Sequence, residues 1–164
     1  MVAKEKTLAD AFYETLKDVF YAEKQSVRAL KKSAKAARAP ALKEAFEVHG
    51  EESAAHLERL TQVFELIGKP ARTKTCEATQ GITAEMDEDL GDFGSTEAAD
   101  DVLIACAQAL EHYEIARYGT LKAWAAKLGL KDVKSLLDAT LQEEKKADAL
   151  LTKLAEETES KVAA

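Results

Sequence analysis

Only two cysteines, Cys76 and Cys106, occur in 164 residues, too few and too scattered for a disulfide framework or for a Cys-x-x-Cys zinc or rubredoxin-type iron site. Reduced, structural thiols are expected. The chain has only two prolines and seven glycines, most of which cluster where helices should end, and Ala, Leu, Glu and Lys fill the intervals between them. An all-α architecture follows. No apolar run approaches the roughly 20 residues needed to span a bilayer, and the amino terminus, Met-Val-Ala-Lys-Glu-Lys-Thr, lacks an apolar signal core. Basic residues are outnumbered, 23 against 30 acids, and the net charge of -7 argues against a nucleic-acid footprint and against anionic membranes. The expectation is a soluble, cytoplasmic chain with neither partner. With 46% apolar residues, a single domain over 1–164, with its core at about 7–158, can bury a continuous interior.

Four long helical segments are predicted, A to D in chain order. Helix A starts at Thr7, where Thr-x-x-Asp through Asp10 resembles a capping box, and runs to about Arg38. Helix B begins at Pro40, a natural first-turn residue, and stops at Gly68. Helix C covers about Thr96 to Leu128, and helix D about Asp132 to near Glu159, with the last few residues frayed. A joins B, and C joins D, through a few residues, so each pair is an antiparallel hairpin. Lys69 to Ser95 is long enough to return along the whole bundle and to hold a short helix with its acidic run from Glu85 to Asp92. One long crossover between two short hairpins is the ferritin-like four-helix arrangement, with B parallel to C.

Glu23, Glu52, His56, Glu111, Glu144 and Asp148 interrupt the apolar stripes of these helices near mid-length, where Leu or Ala would be ordinary. A carboxylate inside a bundle is costly unless it is paired or holds a metal, so several at one height imply a cation between them. Each helical residue turns by about 100°, which puts Glu52 and His56 about 40° apart and one turn apart. Glu144 and Asp148 repeat that spacing on helix D, while Glu23 and Glu111 stand singly on A and C. The two halves match as Glu with Glu-x-x-x-His, and Glu with Glu-x-x-x-Asp. A two-metal carboxylate site is expected, one metal ligated by nitrogen and the other by oxygen alone, with the A and C carboxylates bridging. Glu114, three residues after Glu111, adds a further carboxylate. Oxygen-rich ligands with an imidazole suit iron or manganese better than zinc. Five carboxylates, or six with Glu114, outweigh the four positive charges of two divalent ions and would favour the oxidised pair.

Taken singly, each residue has a blander reading. A lone Glu on a stripe is more often a snorkelling side chain, and a lone His a satisfied core residue. His49 is expected to support a ligand rather than bind metal, and His112 to be peripheral. Tyr21, Tyr113 and Tyr118 read as packing residues, although Tyr118 shares the Glu114 face and can touch the site.

The segments Asp18-Val-Phe-Tyr-Ala-Glu-Lys-Gln25, His49-Gly-Glu-Glu-Ser-Ala-Ala-His-Leu-Glu-Arg-Leu60, Cys76-Glu-Ala78, Glu111-His-Tyr-Glu-Ile-Ala-Arg-Tyr-Gly119 and Thr140-Leu-Gln-Glu-Glu-Lys-Lys-Ala-Asp148 resemble the YciE/YciF stress-protein family of ferritin-like bundles over nearly the whole chain. The resemblance implies a rubrerythrin-like dimetal centre at Glu23, Glu52, His56, Glu111, Glu144 and Asp148, with Glu114 as an added ligand. It also implies a dimeric habit and stress-associated expression. Two iron ions, with manganese or zinc as alternatives, are the expected cofactors. The broader ferritin-like pattern uses Glu-x-x-His on two helices, and this chain departs from it on both. Three roles are open: a dimetal oxidoreductase served by an external electron donor, a metal-sequestering protein, and a structural or interaction bundle with a vestigial site.

Overall fold

A computed structural model describes residues 5–157 as five helices. These are α1 (Leu8–Ala36), α2 (Pro40–Leu66), α3 (Glu77–Phe93), α4 (Ala99–Lys127) and α5 (Lys131–Glu157). No strand occurs among the described residues. The predicted stretch of helix D beyond Glu157, and the frayed end, lie outside them.

The helix ends follow local chemistry. Thr7 and Asp10 form the predicted reciprocal capping box at the start of α1. Pro40 occupies the first turn of α2, where a missing N–H removes no helical hydrogen bond. Gly68 (φ 65°) and Gly129 (φ 73°) take the left-handed conformation after α2 and α4. There the Lys69 and Leu130 amides bond back to the carbonyls of Phe64 and Ala125, so each chain reversal also satisfies orphan carbonyls. The Asp100 carboxylate accepts from the Arg38 and Ala39 amides at 2.8 Å, which ties the α1–α2 turn to the start of α4.

α1 packs on α2 and α4, and α5 on α2 and α4, giving a four-helix square. One apolar cluster joins Phe12, Leu16 and Val19 of α1 to Val63 and Phe64 of α2, Leu121 and Ala125 of α4, and Val133 and Leu137 of α5. The beginnings of α1 and α5 therefore share an end with the finishes of α2 and α4. A second cluster, with Leu30, Leu42, Phe46, Leu103, Ile104 and Leu151, fills the opposite end. α2 runs parallel to α4, as a ferritin-like bundle requires. The crossover helix α3 is longer than the short helix expected, and it docks Met86 against Ala29, Cys106 and Leu110. The two apolar clusters are separated by a polar layer at mid-height.

Candidate metal centre

That layer consists of Glu23 on α1, His49 and His56 on α2, Glu111 and Glu114 on α4, and Glu144 on α5, all buried and the four carboxylates at 0% exposure. Their helices continue through the layer because apolar residues above and below fix each helical face, and the acids stand on those same faces. Small buried neighbours, Ala22, Ser26, Ser53 and Ala107, leave room between the longer side chains.

Glu144 lies at the centre. Its Oε1 is 3.0 Å from His56 Nδ1 and its Oε2 3.3 Å from His49 Nε2. Glu23 Oε1 approaches His56 Nδ1 at 3.2 Å, and Glu111 Oε1 approaches His49 Nε2 at 3.0 Å. Two donor groups result, Glu23 with His56 and Glu144, and His49 with Glu111 and Glu144, each with ligand atoms within 4.8 Å of one another. Glu144 belongs to both.

Each imidazole turns its other nitrogen outward to a carboxylate. His56 Nε2 meets Glu143 Oε2 at 2.9 Å, and Glu143 is gripped by Arg59 at 2.7 and 3.3 Å. His49 Nδ1 meets Glu52 Oε2 at 3.1 Å. A carboxylate on the far nitrogen is the usual support of a metal-bound histidine, since it fixes the tautomer and the ring plane. The Tyr118 hydroxyl donates to Glu23, and Ser26 Oγ donates to Glu114 Oε2 at 3.2 Å.

Burial and crowding set the charges of the protein by itself. Desolvation opposes the cationic form of both histidines, but the adjacent carboxylates prevail and lift His49 to about 12 and His56 to about 10. Burial lifts Glu111 to about 8 despite His49, and it raises Glu23 and Glu114 as well. Glu144 goes the other way. Its desolvation is overcome by His49 and His56, which hold it below the usual carboxylate range.

These residues fit a metal pair. Glu23 Oε2, Glu114 Oε1 and Ser53 Oγ are buried with no hydrogen bond, and Glu111 Oε1, both Glu144 oxygens and His56 Nδ1 have only their histidine–carboxylate ion-pair contacts. A buried group left unsatisfied costs about 1–3 kcal/mol, and the unpartnered oxygens of Glu23 and Glu114 stand in this one layer. Two donors bound about 2.1 Å from one ion stand about 3.0–3.4 Å apart, and the histidine–carboxylate spacings of 3.0–3.3 Å accommodate this as well as they do an ion pair.

Five of the seven residues singled out in the sequence are thus brought together: Glu23, His56, Glu111, Glu114 and Glu144. Glu52 and Asp148 are not. Glu52 is 42% exposed and reaches only the outer nitrogen of His49. Asp148, about 40° round the helix from Glu144, falls on the outer α4–α5 seam. There it accepts from Gln108 at 3.1 Å and meets the exposed His112 at 3.0 Å. The residue missed as a member of the layer is His49, whose Nε2 faces Glu111 and Glu144. Its signal was the seven-residue interval to His56, two turns and only about 20° of drift, a closer alignment than Glu52 has. Each donor group therefore contains one imidazole, His56 in one and His49 in the other. Among the described residues the buried carboxylates number four, Glu23, Glu111, Glu114 and Glu144.

A family described as a domain of unknown function, DUF892, matches residues 7–164. Protein YciF of Escherichia coli K12 is 44% identical over 152 residues, covering 92% of this chain and 91% of the relative. The crystal structure of the E. coli stress protein YciF matches with a TM-score of 0.90 and 41% identity, over 96% of this chain and 100% of that one. YcfI of Rhodopseudomonas palustris matches at 0.88 and 39%, over 93% and 97%. A protein of Xanthomonas campestris, 22% identical with a TM-score of 0.73 over 92% of this chain and 91% of that one, shares the fold.

Proposed function

The chain belongs to the DUF892 family, and on that premise we propose that it is a YciF-type stress protein that holds a pair of divalent metal ions, iron foremost, in its mid-bundle layer. The observation that carries this reading is the sharing of Glu144 between two histidine-containing donor groups. Glu23, His56 and Glu144 hold one ion, and His49, Glu111 and Glu144 the other, with Glu114 adjoining both. Oxygen-rich sets with one imidazole each suit iron or manganese.

Iron held in such a pair supplies redox chemistry toward peroxide or dioxygen. The protein's own part is to exclude water, to orient the imidazoles through Glu143 and Glu52, and to hold a proton on Tyr118 against Glu23. The two cysteines offer no rubredoxin-like module, so electrons arrive from a separate donor. The dimeric habit implied by the resemblance belongs to the same proposal, and sedimentation equilibrium tests it.

Metal analysis after anaerobic ferrous loading is the test. About two ions per chain are expected, and fewer than about half an ion sinks the reading. Mixing the ferrous protein with hydrogen peroxide then separates two outcomes. Absorbance changes that recur over several reduction cycles support an oxidoreductase, and a single stoichiometric oxidation supports sequestration.

A second reading is favoured by the charge state of the metal-free layer. Two cationic imidazoles among four acids make an ion-pair network that can fix bundle register by itself, as a structural protein would use it. Full thermal stability and native oligomeric state with no bound metal, before and after iron exposure, would favour it.

A further inference from the structure

A cavity of about 120 Å³ opens between α2 and α5 and ends on His49 and Glu52. Its walls are mostly apolar, with Phe46 deep inside and the exposed Val48 and Leu150 at the mouth, where Lys146 supplies a positive charge. His49 is the partition between this cavity and the buried acids: Nε2 faces Glu111 and Glu144, and Nδ1 faces Glu52. Among the described residues one other outward contact leaves the layer through an imidazole, from His56 to Glu143. There the Arg59 guanidinium grips both Glu143 oxygens and also donates to Thr140, so a fixed cation closes that side. Among the described residues no lysine or arginine pairs with Glu52.

We propose that the α2–α5 cavity is the port by which divalent cations reach the mid-bundle layer, with Glu52 as the carboxylate that captures the ion and His49 as the wall it passes. This inference rests on the metal-pair reading and assigns Glu52 a transit role in place of a resident one. The physical argument is electrostatic. The half-exposed Glu52 carboxylate stands at the inner end of a cleft whose low-dielectric walls focus its field toward the mouth. An ion that leaves bulk water there must exchange hydration for ligands, and Glu52 is the first anionic oxygen it meets, its own contact being with His49 on the inner side. Lys146 opposes the approach and sets its rate.

Loading is followed by stopped-flow absorbance of cobalt(II) added to metal-free protein, with final cobalt per chain measured separately. Glu52→Gln, which keeps the size and the acceptor for His49, is expected to slow loading about tenfold with unchanged final stoichiometry. Ala147→Phe, which fills the cavity from α5, is expected to slow it as well, and Lys146→Gln to speed it. Circular dichroism checks the fold, and Ala147→Leu replaces the phenylalanine variant if that one fails to fold. Loading within twofold of wild type in both the Glu52 and Ala147 variants overturns the port. A lower final stoichiometry in Glu52→Gln overturns the transit role, because the layer then depends on the Glu52 charge to retain its ions. Wild-type protein that takes up no cobalt sinks the metal reading itself, whereas a wild type that loads while every variant loads alike sinks the port alone.

Discussion

Glu143 and Glu144, adjacent in sequence, hold opposite nitrogens of the His56 ring, Glu143 at 2.9 Å from Nε2 and Glu144 at 3.0 Å from Nδ1. A rotation of about 100° between consecutive helical residues sends one carboxylate into the layer and leaves the other at its edge beside Arg59. The difference between a carboxylate inside the layer and one at its edge is built into that single step along α5.

Glu144→Gln is expected to remove most metal from both donor groups, since it is their shared member. Metal per chain after loading should fall from about two to below about half. Asp148→Asn, on the outer seam, and Glu58→Ala, exposed on α2, should keep the wild-type content. Elemental analysis of the three variants side by side checks this, and equal losses would mean that the helix facings are misassigned.

Glu143→Ala should weaken metal binding without abolishing it. The His56 ring would lose the carboxylate that orients it, and such supports are worth about 10–100-fold in affinity. Competition against a chromophoric chelator measures the change.

Metal-free protein should lose stability as pH rises from about neutrality to 10. His49 and His56 are raised above their ordinary value near 6.5, to about 12 and 10, so their contribution is complete below about pH 6.5 and is lost as pH climbs through the folded values. Glu111, raised from 4.5 to about 8, acts in the same direction over a lower window. Glu144, held low, acts oppositely, and its contribution is lost as pH falls below the ordinary carboxylate range. Thermal melts of chelator-treated protein at pH 7 and 10 should show the lower midpoint at pH 10. Metal uptake must displace the imidazolium protons, so affinity should rise over the same interval.

Tyr118→Phe removes the hydroxyl that donates to Glu23 and leaves a buried acid with one partner fewer. The ring volume is kept. A loss of about 1–3 kcal/mol is expected for metal-free protein in urea denaturation. A change within the error of extrapolation would mean that the hydroxyl adds nothing to the fold.

Much of the fold was legible in order and spacing. Thr7 with Asp10, Pro40, Gly68 and Gly129 mark helix ends through backbone chemistry that needs no distant partner. The contrast between two tight turns and the long crossover fixed the ferritin-like order, because a few residues cannot carry a chain back along a bundle. Glu23, Glu111, Glu114 and Glu144 were legible because an acid on an apolar stripe violates the pattern around it. The crossover helix was underestimated, since its acidic surface conceals the one face, with Thr79 and Met86, that docks on the bundle.

The sequence by itself determined the helices, their succession and the height at which acids enter the core, all of which depend on local propensity and on the 3.6-residue repeat. Tertiary structure decided which side chains at that height face one another. A four-residue step leaves about 40° of angular freedom, enough to turn Glu52 to the rim and Asp148 to the outer seam while His49, seven residues from His56, turns inward. Whether a side chain within that arc is buried depends on where neighbouring helices stand. Asp148 meets Gln108 and His112 because α4 offers them along that seam, and Glu52 borders a cavity because α2 and α5 part there.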